Sequence, residues 1–260
     1  AIVRTLPRGI RNETGALSLH APRTMFNVPI TASRRFAAQD WPLVISIIEA
    51  SWRPLIVEND DVLSEAVLSV PLEHAERSLR MLALRDRILR SSDDRLPTNA
   101  TLPEDQHTLE RMGQGPDAAD ILDTCLAVTI ALRVRGSTNL ACRYGERALQ
   151  IANAAWRSNT SEVRSVYPSL HLQVALAQLL GDDLGAALSS LREAYDRGVG
   201  HPLSYVQRDA AGKLALAHGA FGDQAVASTW LRRFTDFSAD PTNQLTPLID
   251  STAAAANLLI

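Results

Sequence analysis

The chain has 260 residues, of which 46% are hydrophobic and 21% charged, with a net charge of −3. That composition supports a sizeable core and excludes a disordered chain, while 5% aromatic content with abundant Ala and Leu argues for helices and against a β-sandwich or barrel. All basic residues but Lys213 are arginines, and the slightly acidic balance offers no basic face of the kind a DNA-binding domain carries.

Residues 1–30 hold Pro7, Pro22 and Pro29 and four Arg against one Glu, and read as an irregular, solvated basic arm. They lack the apolar core of a signal peptide. No apolar run in the chain is long enough to span a membrane, so the cytoplasm is the expected compartment. A short helix is expected over 31–39. A second starts after a capping Asp40, with Trp41-Pro42 in its first turn, and stops at Pro54. Helices follow over 61–70 and 72–90. In the latter, Leu79, Leu82, Leu84 and Ile88 form an apolar stripe, with Glu73, Glu76, Arg77, Arg80, Arg85 and Arg87 facing water.

Residues 91–103, rich in Ser, Asp, Thr and Pro, read as a linker. Helices are then expected at 104–112, 116–135, 138–157, 160–180, 183–197, 203–221, 223–236 and 246–260. Gly115-Pro116 and Gly200-His201-Pro202 act as stop signals, and Gly113 to Pro116 read as a helix break only. No segment reads as a strand. The domain reading is an arm (1–30), a helical subdomain (31–90) and a repeat region (104–260), the last two either continuous or separate. Ala253–Ile260 close the chain inside an apolar helical pattern, which suggests a section of a longer protein. Cys125 and Cys142 lie in apolar stretches and read as buried free thiols.

The most specific signal is an internal repeat. Leu180-Gly181-Asp182 is followed by Ala187, Leu191 and Arg192, and Phe221-Gly222-Asp223 by Ala227, Leu231 and Arg232. A looser copy runs from Arg135-Gly136-Ser137 to Ala141, Arg143 and Ala148, and a fourth candidate is Ala38-Gln39-Asp40-Trp41 followed by Val44, Ile48 and Ser51. Upstream of each Gly stands an apolar-small pair: Val128-Thr129, Val174-Ala175 and Leu214-Ala215. Gly would end the first helix in a left-handed cap and Asp would cap the second. Ala at the crossing lets the helices approach. Each hairpin then has an apolar face that only a neighbour can cover. The expected fold is all-α, a right-handed superhelical stack of antiparallel helical hairpins.

This pattern resembles the tetratricopeptide repeat, an α-solenoid unit, although its periods exceed the usual ~34 residues. Arg35-Phe36-Ala37-Ala38-Gln39-Asp40-Trp41, leading into Ile47 to Trp52, is similar to the element that opens the helical-repeat region of the large ATP-dependent LuxR-type regulators of the maltose-regulator group. Asp61–Pro71 resembles the element that follows it there. The resemblance implies a sensor or partner-binding segment. In that family a P-loop ATPase precedes the repeats and a helix-turn-helix follows, and neither motif occurs in this sequence.

No catalytic constellation stands out. The six histidines form no H-x-x-x-H pair and lie near no Cys at ligand spacing. Asp60-Asp61, Asp93-Asp94 and Asp182-Asp183 fit caps and loops. No catalytic residue, metal site or cofactor is expected. Mapped onto stacked hairpins, the first helices present Leu126, Ile130, Leu172, Leu176, Leu179 and Leu216 to the concave side. Arg133, Asp123, Arg208 and Asp209 lie at its edges, Tyr167 and Tyr205 supply polar-tipped contacts, and His171 or His218 lies on the groove. Trp52, Trp156 and Trp230 read as core or inter-hairpin packing. The expected partner is a protein, a peptide or a small apolar inducer, without direct nucleic-acid or membrane contact, and the oligomeric state stays open. The leading reading is a non-catalytic sensor segment of a LuxR-type regulator. The alternatives are a stand-alone peptide-binding adaptor and, third, an enzyme with an unrecognised site.

Overall fold

A computed structural model describes residues 40–58, 60–89, 101–157, 161–200, 205–239 and 245–260. The arm (1–30), the helix expected over 31–39 and residues 91–100 of the linker lie outside the described residues. Every regular element among the described residues is a helix, and none of these helices is long and apolar enough to cross a membrane. The chain divides into two compact units, residues 1–85 and 86–260.

In the first unit, α1 (Trp41–Glu58), α2 (Asp60–Ser69) and the one-turn α3 (Leu72–Ala75) precede α4 (Leu79–Leu89), which runs across the division. Asp40 caps α1, its Oδ1 accepting from the Leu43 amide at 3.2 Å. The helix does not stop at Pro54 but runs four residues past it to Glu58. Proline removes one amide from the ladder, and a helix packed against neighbours tolerates that loss. The helix expected over 72–90 is broken instead at Ser78. The Ser78 hydroxyl accepts from the Met81 amide at 3.1 Å and donates to Glu49, so it starts α4 and ties it to α1. The buried face of α4 is also rotated from the expected stripe: Arg80, Met81, Ala83 and Leu84 are buried, whereas Leu79, Leu82 and Ile88 are half-buried.

Arg80 and Arg85, expected to face water, both reach backbone carbonyls. Arg80 donates to Glu49 O at 3.4 Å, and Arg85 donates to Val70 O at 3.0 Å and Val67 O at 3.4 Å. Arg85 thereby satisfies the orphan carbonyls at the end of α2.

The second unit contains α5 (Gln106–Gln114), α6 (Ala118–Val134), α7 (Thr138–Trp156), α8 (Ser161–Leu180), α9 (Leu184–Arg197), α10 (Tyr205–Ala220), α11 (Gln224–Thr235) and α12 (Thr246–Leu258). Within the expected linker, Leu102 is buried and its carbonyl accepts from Arg147 at 2.9 Å. Asp105 caps α5, accepting from the Thr108 amide at 2.8 Å. Helices α6 and α7, α8 and α9, and α10 and α11 pack as sequential pairs; α8 also packs on α6 and α7, α10 on α9, and α12 on α10.

The three turns between paired helices share one hydrogen-bond pattern. The Ser137 amide donates to Leu132 O, the Asp183 amide to Gln178 O and the Asp223 amide to His218 O, each at 3.0 Å. This is a Schellman cap. Its last residue is also the N-cap of the following helix. Asp183 Oδ1 accepts from Ala186 N at 3.1 Å and Asp223 Oδ1 from Val226 N at 3.3 Å, while Ser137 makes no such side-chain bond.

The left-handed position is Gly136 (φ +78°) and Gly222 (φ +76°), but in the middle turn it is Asp182 (φ +60°) and not Gly181. The two Gly-Asp turns are therefore one residue out of register. Gly181 serves close packing: a Cβ there would lie 3.0 Å from Cys142 Sγ. Ala141, Ala187 and Ala227 are fully buried, as are Val128-Thr129, Val174-Ala175 and Leu214-Ala215. Two further glycines mark tight crossings. A Cβ on Gly113 would meet Ile151 O at 2.3 Å and one on Gly145 would meet Val174 Cγ2 at 2.8 Å. Gly113 is thus the contact between α5 and α7, and more than the helix break expected.

Candidate functional site

The C-terminal end of α7, the N-terminal turn of α8 and the C-terminal end of α9 come together at one end of the second unit. They enclose a cleft of about 470 Å³ lined by Trp156, Ser161, Arg164, Ser165, Asp196, Arg197, Val199 and Gly200. The periodicity of α8 explains one wall: positions 161, 164 and 165 fall on one face of its first turn. The other wall is the last turn of α9 and the residues after it. They end at Gly200, which has a left-handed φ of +74°.

Trp156 forms the floor. The Arg197 guanidinium lies 5.1 Å from the indole centroid and also pairs with Glu193, Nε to Oε2 3.3 Å. Behind Trp156 an aromatic row enters the interior. Tyr167 lies 4.5 Å from Trp156, and His171 lies 4.5 Å from Tyr167 on the far side, with both pairs tilted. The Tyr167 hydroxyl donates to Asn153 Oδ1 at 2.8 Å. Burial pushes the Tyr167 phenol up to about 12, with Glu193 raising it further and Arg197 opposing.

His171 is buried and neither ring nitrogen has a hydrogen-bond partner. Burial first, and the Arg197 charge second, push its imidazole down to about 4, so the ring is neutral at ordinary pH.

The expected concave-face residues are distributed differently. Leu126, Ile130 and Leu172 are buried in helix packing and line no groove, because α6 and α8 pack against helices on more than one side. Leu176, Leu179, Leu216 and Tyr205 are half-buried. Arg133 donates to Gln173 Oε1 at 2.9 Å. Arg208 is buried, pairs with Asp250 and lies 4.2 Å from the Phe234 ring centroid, while Asp209 is buried and pairs with Lys213. Neither lies at an open edge. His218 lies between Arg192 and Asp223, with Nδ1 3.8 Å from Asp223 Oδ2. Only Tyr167 and His171 of the expected set join the aromatic row.

Trp156 is half-buried on the cleft floor rather than sealed between hairpins, whereas Trp230 is buried. Ser161, Arg164, Ser165, Asp196 and Arg197 carry the cleft's polarity, and the repeat gave no signal for them. The available cue was local: a Trp ending one helix, five residues before a Ser-x-x-Arg-Ser helix start.

Cys125 is buried and its thiol is pushed up to about 12 by burial, the Tyr144 hydroxyl standing 3.9 Å from its sulfur. Cys142 is half-buried, not fully buried as expected, and is pushed up by partial burial and by Glu146 and Asp183. Both are free thiols held away from the reactive thiolate form. Among the described residues no group of three His, Cys, Asp or Glu gathers as a metal ion would need. The cleft instead presents an aromatic surface beside two guanidinium groups, one carboxylate and two hydroxyls, an assembly suited to binding a small polar molecule with a flat apolar part.

The chain matches no family model, no curated protein and no solved structure.

Proposed function

We propose that this chain is a non-catalytic, ligand-sensing segment of helical hairpins, working as the sensor region of a LuxR-type regulator of the maltose-regulator group. ATP hydrolysis and DNA binding would belong to other parts of that regulator, and the segment itself makes no contact with nucleic acid or membrane. The hairpins form a right-handed solenoid in this reading. What supports it is the recurrence of one Schellman-to-N-cap turn in three successive hairpins, together with packing of each hairpin on the next, α8 on α6 and α7 and α10 on α9, and of α12 on α10. That is the neighbour-to-neighbour burial a solenoid needs.

The observation that carries the sensing role is the cleft at Trp156, where three helix ends converge. A ligand held there touches two hairpins, because Trp156 closes one and Arg164 and Asp196 belong to the next. It therefore binds their two arrangements unequally, which is the requirement for a switch. Placement in the cytoplasm accords with two free thiols. Determining the coding sequence on both sides of this segment tests the assignment: a P-loop ATPase upstream and a helix-turn-helix downstream are expected, and absence of both defeats it.

A second reading, an adaptor that binds a peptide, is favoured by Leu180 and Phe221, which stand exposed at two hairpin turns. Loss of binding to a defined peptide in Leu180→Ser and Phe221→Ser chains, with Asp196→Asn unaffected, would select it.

A further inference from the structure

Helix α12 packs on α10 and α11, and its buried residues are Ile249, Ala253 and Ala256. Its opposite face is open: Leu248 is 65% and Leu258 87% exposed, with exposed Ser251 and Ala254 between them. That face carries no charge. Asp250, the one charged residue of the helix, is paired with Arg208 of α10. The second helices of the three hairpins differ: α7 exposes Arg143 and Glu146, α9 exposes Arg192 and Asp196, and α11 exposes Arg232 and Arg233. Charges on the outer face are what a surface helix ordinarily has, whereas an uncharged outer face behind an apolar inner one is the pattern of a helix covered on both sides.

The hydroxyls on this side of α12 are already satisfied within the helix. Ser251 Oγ donates to Pro247 O at 2.7 Å, and Thr252 Oγ1 donates to Leu248 O at 3.0 Å. Covering them therefore strands no donor. The order of side-chain sizes is also symmetric. Leu248, Ser251, Ala255 and Leu258 follow at intervals of three, four and three residues, the spacing of a helix–helix seam. Read in either direction the seam runs large, small, small, large.

A charged surface laid on this face would lose hydration and gain no partner. Every other helix of this unit that turns a face to solvent carries charge there, including Arg111 on α5, Asp120 on α6 and Glu162 on α8. The surface of this chain that matches α12 is therefore α12 itself. We propose that α12 is the seam of a two-fold dimer of this chain. With the two helices antiparallel, Leu248 meets the partner's Leu258 and Ser251 meets the partner's Ala255, the reciprocal pairing that a two-fold contact requires. Small side chains at the centre let the axes approach, and the leucines close the two ends. A seam about 20 Å long is small beside the roughly 1,200–2,000 Å² of a standard interface, so the dimer is reversible and forms at about 10–100 µM chain. This inference goes beyond the sensing role and does not rest on it.

The test is sedimentation velocity of the whole chain from about 1 to 200 µM. A monomer–dimer equilibrium is expected. Leu248→Glu and Leu258→Glu, both at exposed positions, should each weaken it at least about tenfold with the far-UV circular dichroism unchanged. A chain carrying Leu248→Glu and Leu258→Lys together should dimerise more tightly than the Leu248→Glu chain, because the antiparallel seam sets each glutamate beside the partner's lysine. A double variant no tighter than that single one overturns the antiparallel register. A monomer across the whole range overturns the dimer and leaves the face to a different protein or to another segment of this chain. Dimerisation that is lost in Leu180→Ser and Phe221→Ser chains and kept in the α12 variants places the contact on the hairpin turns and overturns the proposal too. The regulator assignment stands or falls separately, on the flanking coding sequence.

Discussion

Asp182 holds, in the turn between α8 and α9, the left-handed backbone position that Gly222 holds between α10 and α11. A left-handed conformation costs a typical L-residue about 1–2 kcal/mol, and Asp less because its short polar side chain tolerates the region. Replacing Gly with Ala recovers about 0.4–1 kcal/mol through the unfolded chain. Gly222→Ala should therefore destabilise the second unit by about 1 kcal/mol and Gly222→Asp by less. Asp182→Gly should be neutral or stabilising by about 0.5 kcal/mol. Urea unfolding midpoints at constant slope check the order, and a more stable Gly222→Ala chain would contradict it.

Gly145 and Val174 meet closely between α7 and α8, since a Cβ on Gly145 would lie 2.8 Å from Val174 Cγ2. Gly145→Ala should cost about 1–3 kcal/mol by overpacking. Val174→Ala removes the obstructing methyls, and alone it costs cavity energy of about 1–2 kcal/mol. The double variant should be more stable than the sum of the two losses predicts, by about 1 kcal/mol. Simple additivity in a double-mutant cycle would show that the helices shift apart freely and that the contact does not fix their spacing.

His171 makes stability depend on pH. Its imidazole sits near 4 in the folded chain against an ordinary value of 6.5, so between those values the unfolded chain binds the extra proton. Stability then rises with pH across the window. The contribution is complete above pH 6.5, falls as the pH drops, and amounts to about 3 kcal/mol at its full extent. His171→Phe should flatten the stability profile between pH 4 and 6.5. At pH 7 it should also be neutral or stabilising, because it replaces two unpartnered buried nitrogens by a ring of similar shape. An unchanged slope would mean that His171 is protonated without cost and would remove burial as its governing influence.

The helices of the second unit and their turns were largely legible, because apolar periodicity, Gly and Asp act within a few residues of the structure they cause. Buried Ala141, Ala187 and Ala227 follow directly from the repeat. The identity of the left-handed residue was not legible: Gly181 and Asp182 both suit a turn, and it is the closing bond from the Asp183 amide to Gln178 O that puts Asp182 in that position, while Gly181 leaves room for Cys142, a neighbour distant in sequence. In the first unit, Ser78 broke a helix that periodicity alone carries through, because its partner Glu49 is distant in sequence. The cleft was least legible of all. It is made of helix ends, whereas the sequence pattern reports helix faces, and leucines such as Leu126 and Leu172 that match a groove-lining face are sealed by a neighbouring helix.

Arg208 and Asp250 tie α10 to α12 unequally, because the guanidinium is buried over the Phe234 ring while the carboxylate side chain is 47% exposed. Removing either partner thus leaves a different residue alone. Asp250→Ala strands a buried cation, whose desolvation is then uncompensated, and should cost about 2 kcal/mol. Arg208→Met frees a carboxylate that water can hydrate and keeps an apolar stem against Phe234, so it should cost about 1 kcal/mol or less. The ordering, with Asp250→Ala the more damaging, is the decisive readout in chemical unfolding. An equal loss in both variants would mean that the ion pair itself, and not the stranded guanidinium, carries the energy of this contact.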